Sequence, residues 1–371
     1  MPLEKFDGLE LSAPSDFHVH LRDGEMMRLV TPTIRQGGNN IVFVMPNLVP
    51  PITTVQRALD YQKQLQSIEP AVKYLMSLYL HPDVTPEVIR EAKKAGIAGV
   101  KSYPAGVTTN SSSGVVDYEQ FYPVFKAMEE EDMILNLHGE SPSGPDITVL
   151  NAEEAFLPTL LDLHKRFPNL RIILEHCTTA AAIEAVKECG DNVAATITAH
   201  HLYLTVDDWA GDAFCFCKPV AKLPKDKRAI LKIAVSGNPK FFFGSDSAPH
   251  PVEAKHGGAS GKGKIAAGVF TQPYTTPYVV DALERACEKR LLSEDQVTKE
   301  KLEGFLGGFG RAFYKVSDDR QERMVLKKQK TIVAESIRAE SGNLEVVNFR
   351  KGEELGWTVA SSSYKLPTKS R

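Results

Sequence analysis

The chain of 371 residues is 42% hydrophobic, 25% charged and 8% aromatic, close to soluble globular averages, which excludes a disordered, fibrous or disulfide-scaffold chain. Its 44 basic and 47 acidic residues leave a formal charge of -3, without the basic excess that draws a protein to nucleic acid or to an anionic membrane. No apolar run nears the roughly 18 residues of a membrane span, and the opening MPLEKFDGLELSAP has neither a secretory nor a transit pattern, so the sequence reads as cytoplasmic. The five cysteines, odd in number and with only Cys215 and Cys217 close together, read as free and mostly buried thiols.

In chain order, short β-branched or aromatic runs occur at 15–20, 39–47, 72–80, 98–104, 132–139, 170–177, 192–201 and 240–247. Between them TVQRALDYQKQLQ, TPEVIREAKKAG, DYEQFYPVFKAMEEE, AEEAFLPTLLDLHKRF, TAAAIEAVKECG and PKDKRAILKIAVSG space apolar residues by three and four, as helices do. Eight strands alternating with helices predict a parallel sheet, and eight is the number that closes into a TIM (β/α)8 barrel; an open doubly wound sheet is the alternative. Beyond the eighth strand, PYTTPYVVDALERACEKRLL and VTKEKLEGFLGGFGRAFY predict further helices on the barrel. From about Val316 a basic stretch, RQERMVLKKQK, and strand-like pieces LEVVNF and ELGWTV replace that pattern. The expected division is therefore a barrel domain over 1–315 and a C-terminal appendage over 316–371.

Reactive side chains of such barrels gather at the C-terminal ends of the strands. The first strand ends His18-Val19-His20, and residues two apart on a strand point the same way, so both imidazoles can grip one metal. The fourth brings Lys101, the fifth ends in His138, the sixth in His176 and the eighth in Asp246. Singly, each has an ordinary reading: a hydrogen-bonded histidine, a salt-bridged lysine, an aspartate capping a turn between Ser245 and Ser247. Jointly, at comparable depth on five strands, they point to a metal centre, with zinc favoured over manganese or iron by the nitrogen-rich set. His81 and His164 read as structural, and one of His200 and His201 as a group behind the ligands.

HVHLRDG, VFVMPNLVPP, GVKSYPAGVTTNSS, LNLHGE, ILEHCTT, TITAHHL and FFFGSDSAPH, in this order and spacing, resemble the compact class II dihydroorotases of the amidohydrolase superfamily over residues 12 to 315. The resemblance implies a metal-dependent TIM barrel with extra C-terminal helices and a short tail. It implies reversible hydrolysis of dihydroorotate to N-carbamoyl-L-aspartate, the third step of de novo pyrimidine biosynthesis, by a homodimer that binds neither nucleic acid nor membrane. His18, His20 and Asp246 would hold the more buried of two zinc ions and His138 and His176 the other. Lys101, carboxylated on its amine by carbon dioxide, would bridge them together with a hydroxide; a lysine carbamate is an anion with two oxygens, where an ammonium would be repelled. Asp246 would carry the proton between that hydroxide and the leaving amide nitrogen.

Arg22, Asn47 and His250 are implied as partners of the substrate, with backbone contacts near Lys218 and Ala267, and Thr108 and Thr109 on a loop that closes over it. Lys218 stands where an apolar residue is expected. The alternatives are a hydantoinase, dihydropyrimidinase or allantoinase, which flank the barrel with a β-sandwich begun before the His-x-His pair, or a non-catalytic scaffold that has lost ligands. Only 17 residues precede His18, and all six ligand positions are filled.

Overall fold

Eight parallel strands run in sequence order around a barrel: Ser15–Val19, Ile41–Val44, Lys73–Leu75 continued as Ser77–Tyr79, Gly99–Ser102, Ile134–Leu137, Ile172–Leu174, Val193–Ile197 and Phe241–Phe243. This computed structural model describes residues 2–258 and 263–361. The ring closes where Val19 bridges Ser247 in parallel, Asp246 N donating to His18 O at 2.9 Å and His20 N to Ser247 O at 3.0 Å. The expected third strand is interrupted at Met76. Its first half pairs with the second strand (Ile41 against Lys73) and its second half with the fourth (Ser77 against Gly99), so the break marks where pairing passes from one neighbour to the other.

Side-chain alternation builds two apolar layers from these strands. Phe17, Ile41, Phe43, Leu75, Ile134, Ile173, Ala194 and Phe242 point inward, whereas Val42, Val44, Val100, Leu135, Leu137, Ile172, Leu174 and Ile197 point out under the helices. The N-terminal end of the barrel is plugged by Tyr314, from the helix Phe309–Tyr314, which stacks on Phe17 with ring centroids 4.8 Å apart and lies 5.1 Å from Phe43. Gly310 lets that helix approach: a Cβ there would lie 2.2 Å from the Phe17 ring.

The predicted crossover helices are present. Thr54, Thr85 and Thr179 cap Val55–Ile68, Pro86–Lys94 and Ala180–Glu188 by accepting from backbone N–H groups three residues on. A helix over Gly24–Val30, capped by Asp23, was not read from the sequence; its signal is the Asp-Gly pair ahead of Met26, Met27 and Val30, all buried. Among the described residues no helix is long and apolar enough to cross a membrane.

The basic stretch is a strand. Arg323–Lys327 runs between Glu10–Ser12 and Thr358–Ser361, antiparallel to both, with Met324 and Leu326 turned inward. Trp357 is fully buried against the helix Thr275–Glu288, its Nε1 donating to Glu284 at 3.0 Å.

Candidate active site

The C-terminal ends of the strands converge on a cluster of buried polar side chains. The first strand carries a register shift between Asp16 and Val19, beyond which His18 and His20 both aim at Asp246: their Nε2 atoms lie 3.3 and 3.1 Å from its Oδ1. Gly244 permits this approach, since a Cβ there would lie 2.9 Å from Thr196 and 3.0 Å from His18. The rings of His18 and His176 are 5.1 Å apart and those of His138 and His176 are 4.6 Å apart. Lys101 is fully buried beside the Tyr103 ring, and its Nζ has no hydrogen-bond partner among the described residues. Arg22, His176 and Asp246 all adopt positive φ (59°, 42° and 46°), an uncommon and strained conformation for residues with side chains.

Three imidazoles are oriented from behind. His18 Nδ1 lies 2.8 Å from Glu175, His20 Nδ1 2.9 Å from the Asn47 amide oxygen, and His138 Nε2 2.7 Å from Glu140. Each keeps its second nitrogen for the centre, the arrangement usual behind metal-bound histidines. Glu175 also accepts from Asn136 at 2.7 Å and Thr196 at 2.6 Å, while Asp16 accepts from Ser245 N, Ser245 Oγ and His18 N. Glu175, Glu140 and Asp16 were not singled out in the sequence; the signal was an acid adjacent to, or two residues from, a candidate ligand.

Burial sets the protonation states. It lowers His20 to about 4 and pushes His176 well below the ordinary imidazole value, and it lowers His138, against its Glu140 partner. Burial alone would raise the Asp246 and Glu175 carboxyls, but His18 and, at Asp246, His20 hold them below the usual range. Burial also lowers the Lys101 amine to about 8. Neutral imidazoles, ionised carboxylates and an amine that sheds its proton easily are the donor states a divalent metal requires. The donor atoms of His18, His20 and Asp246 lie within 4.8 Å of one another. The residues present therefore fit a metal centre.

Above the cluster a cleft is lined by Arg22, Asn47, Tyr103, Thr108, Thr109, Lys218 and Ala267 together with the histidines. Arg22 Nε donates to Pro249 O at 3.0 Å. His250 Nε2 lies 3.0 Å from Ala267 O and 3.2 Å from Arg22 Nη2. Donating to the carbonyl, that nitrogen cannot also accept from Arg22, whose guanidinium has no carboxylate partner among the described residues. Asn47 Nδ2 donates to Thr109 O at 3.0 Å, and Thr109 Oγ1 to Ala267 O at 3.4 Å, which lays the loop over the cleft.

All thirteen residues expected at the site thus lie in or directly against it. His164 accepts from Gly190 N and His81 lies beside Asp83, both away from the cleft. His201 is held by Thr198 at 2.8 Å and Pro219 O at 3.1 Å, and buried His200 has no partner on either ring nitrogen among the described residues.

The profile of the Amidohydrolase family matches residues 74–268. A probable dihydroorotase of Schizosaccharomyces pombe is 53% identical, the match covering 94% of this chain and 98% of that protein. The crystal structure of dihydroorotase from Saccharomyces cerevisiae in complex with 5-fluoroorotic acid superposes with a TM-score of 0.88 at 48% identity, over 97% of this chain and 100% of that one. An L-hydantoinase (dihydropyrimidinase) from Arthrobacter aurescens, at 18% identity, covers 96% of this chain and 85% of its own with a TM-score of 0.79, a likeness of fold.

Proposed function

Because the chain belongs to the dihydroorotases, metal-dependent enzymes of the amidohydrolase superfamily, we propose that the cleft opens and closes the cyclic amide of dihydroorotate, and that His18, His20, Lys101, His138, His176 and Asp246 are the residues that would hold two zinc ions there. The observation that carries this reading is the Lys101 Nζ, buried without a partner among the described residues beneath the imidazoles. An unpaired buried ammonium is costly. With its amine lowered to about 8, Lys101 reaches the neutral form readily; adding carbon dioxide to that nitrogen and releasing one proton gives a carbamate with two oxygens. Zinc bound here would supply a polarised amide carbonyl and a water acidified toward neutral pH.

The chain's own groups do the rest. His18 and His138 are fixed in tautomer and direction by Glu175 and Glu140. Asp246, held ionised, accepts the proton of the attacking water at a carboxylate oxygen and returns it to the leaving amide nitrogen; in ring closure it takes a ureido proton. Arg22 offers free guanidinium N–H groups to the substrate carboxylate, with Asn47 and His250 beside it and backbone at Lys218 and Ala267 behind the ring. Thr108 and Thr109 cover the cleft and limit the access of bulk water. The complex of the yeast relative with 5-fluoroorotic acid supports a ligand of this shape and charge.

Elemental analysis of undialysed enzyme together with a dihydroorotate hydrolysis assay tests the reading; about two zinc ions per chain and turnover are expected. Lys101→Ala should lose most activity and regain part of it in short carboxylic acids that fill the vacated space. Metal-free enzyme with full turnover, or an unimpaired Lys101→Ala variant, would overturn it.

A further inference from the structure

The loop over the cleft is braced internally. Ala105 N donates to Val115 O and Val115 N to Tyr103 O at its stem, Gly106 N to Ser111 O within it, and Thr108 is bonded both ways to Ser111. A segment tied to itself in this way moves as a body about its stem, so its position depends on the few bonds from its tip to the rest of the protein. Those bonds come from four sides, the weakest being the Tyr79 hydroxyl, which donates to Asn110 O at 3.5 Å. Asn47 exchanges hydrogen bonds with Thr109 O and Asn110 Nδ2, Ala267 O accepts from Thr109 Oγ1, and the Lys218 Nζ donates to Val107 O at 2.8 Å.

The four fastenings differ in one respect. Asn47, Thr109 and Ala267 are the groups the proposed reaction assigns to the substrate, so a bound substrate competes for the polar atoms that hold the loop. Val107 O and the Lys218 ammonium are not among them, nor is the Tyr79 hydroxyl, whose 3.5 Å contact with Asn110 O is at the limit of a hydrogen bond, so Lys218 makes the one short bond that substrate leaves alone. Lys218 has no carboxylate partner among the described residues, and it lines both the inner cleft and the outer mouth. Its ammonium gives the loop a charge-assisted bond that an apolar side chain at 218, having no donor, could not make.

We propose that Lys218 is a positioning residue for the reaction, its ammonium holding the 105–114 loop closed across the cleft through Val107 O while substrate occupies the loop's other partners. The inference rests on the dihydroorotase reading for its kinetic arm only. In the zinc-loaded enzyme, Lys218→Met should speed amide exchange at 107–110 and raise KM for dihydroorotate, each by roughly tenfold, the loss of one hydrogen bond to a charged group, with kcat changed by less than a few-fold. Lys218→Arg, which keeps a donor of similar reach, should restore both. Exchange at 107–110 unchanged in Lys218→Met overturns the proposal whatever KM does, since the side chain would then act directly on the ligand or not at all. Unchanged KM with faster exchange overturns it as well, by separating loop closure from the reaction. If wild-type enzyme does not turn over dihydroorotate, the functional reading fails, and the exchange arm still decides whether Lys218 fastens the loop.

Discussion

The two ends of the barrel are built from the same eight strands and solve opposite problems. At the N-terminal end Phe17, Phe43, Phe242 and Tyr314 fill the interior with rings in stacked, tilted and edge contacts, and the Tyr314 hydroxyl accepts from buried Asn136 at 2.8 Å. At the C-terminal end the interior holds imidazoles, carboxylates and a lysine amine, with residues in strained backbone conformations. One end stabilises the fold by excluding water. The other buries imidazoles, carboxylates and an amine, which costs stability wherever a buried polar group lacks a partner.

Four experiments would break or sharpen that contrast, beginning with the largest effect. Asp246→Asn keeps size and one coordinating oxygen but cannot take up a proton, so turnover should fall by a factor on the order of 10² to 10⁴ while zinc content is largely retained. Turnover within a few-fold of wild type, with zinc confirmed, would move the proton to another group. Phe17→Ala, at the opposite end, should cost about 3 to 5 kcal/mol in chemical unfolding yet leave zinc content and kcat of the folded fraction near wild type; a folded but zinc-free variant would show that the two ends are not separable. Arg22→Met should lower kcat/KM by the equivalent of about 1.5 to 3 kcal/mol with little change in unfolding, and an unchanged specificity constant would return Arg22 to a structural role.

The smallest effect concerns pH. In metal-free protein His20 and His200 are lowered by burial to about 4, so between 6.5 and 4 the unfolded chain binds protons that the fold refuses. Their stabilising contribution is present above 6.5 and is lost as pH falls toward 4. Asp16, raised by burial to about 6, runs the other way: its contribution is present below 3.8 and lost as pH rises through about 6. His138, His176, His201 and His250 are lowered too, so the histidines prevail. Urea midpoints of metal-free enzyme should fall on acidification over this range, less steeply in His200→Gln. A rise on acidification would contradict the assignment.

The barrel strands were legible because each is a short β-branched or aromatic run bounded by turns, and the clustering of the candidate site residues because a strand end is a fixed place in such a fold. The break at Met76 was not, since it follows from which neighbour each half pairs with and not from local composition. Nor was the pairing of Arg323–Lys327 with Glu10–Ser12, a contact no local pattern encodes. At the site, Glu175 reads as one more charged residue beside a histidine; its role emerges only when the barrel carries His18 to it from another strand.

The sheet that joins the two extremes of the described chain has a consequence for biosynthesis. Ser12 and Arg323 are 311 positions apart, so a ribosome delivers Glu10–Ser12 long before the strand that pairs with it. Until then Leu11 has neither its ladder nor its full cover, and the nascent chain presents a short unpaired edge. The charged Glu10 at its start discourages pairing with a neighbouring nascent chain. Translation order thus places the completion of this sheet after all eight barrel strands have been made.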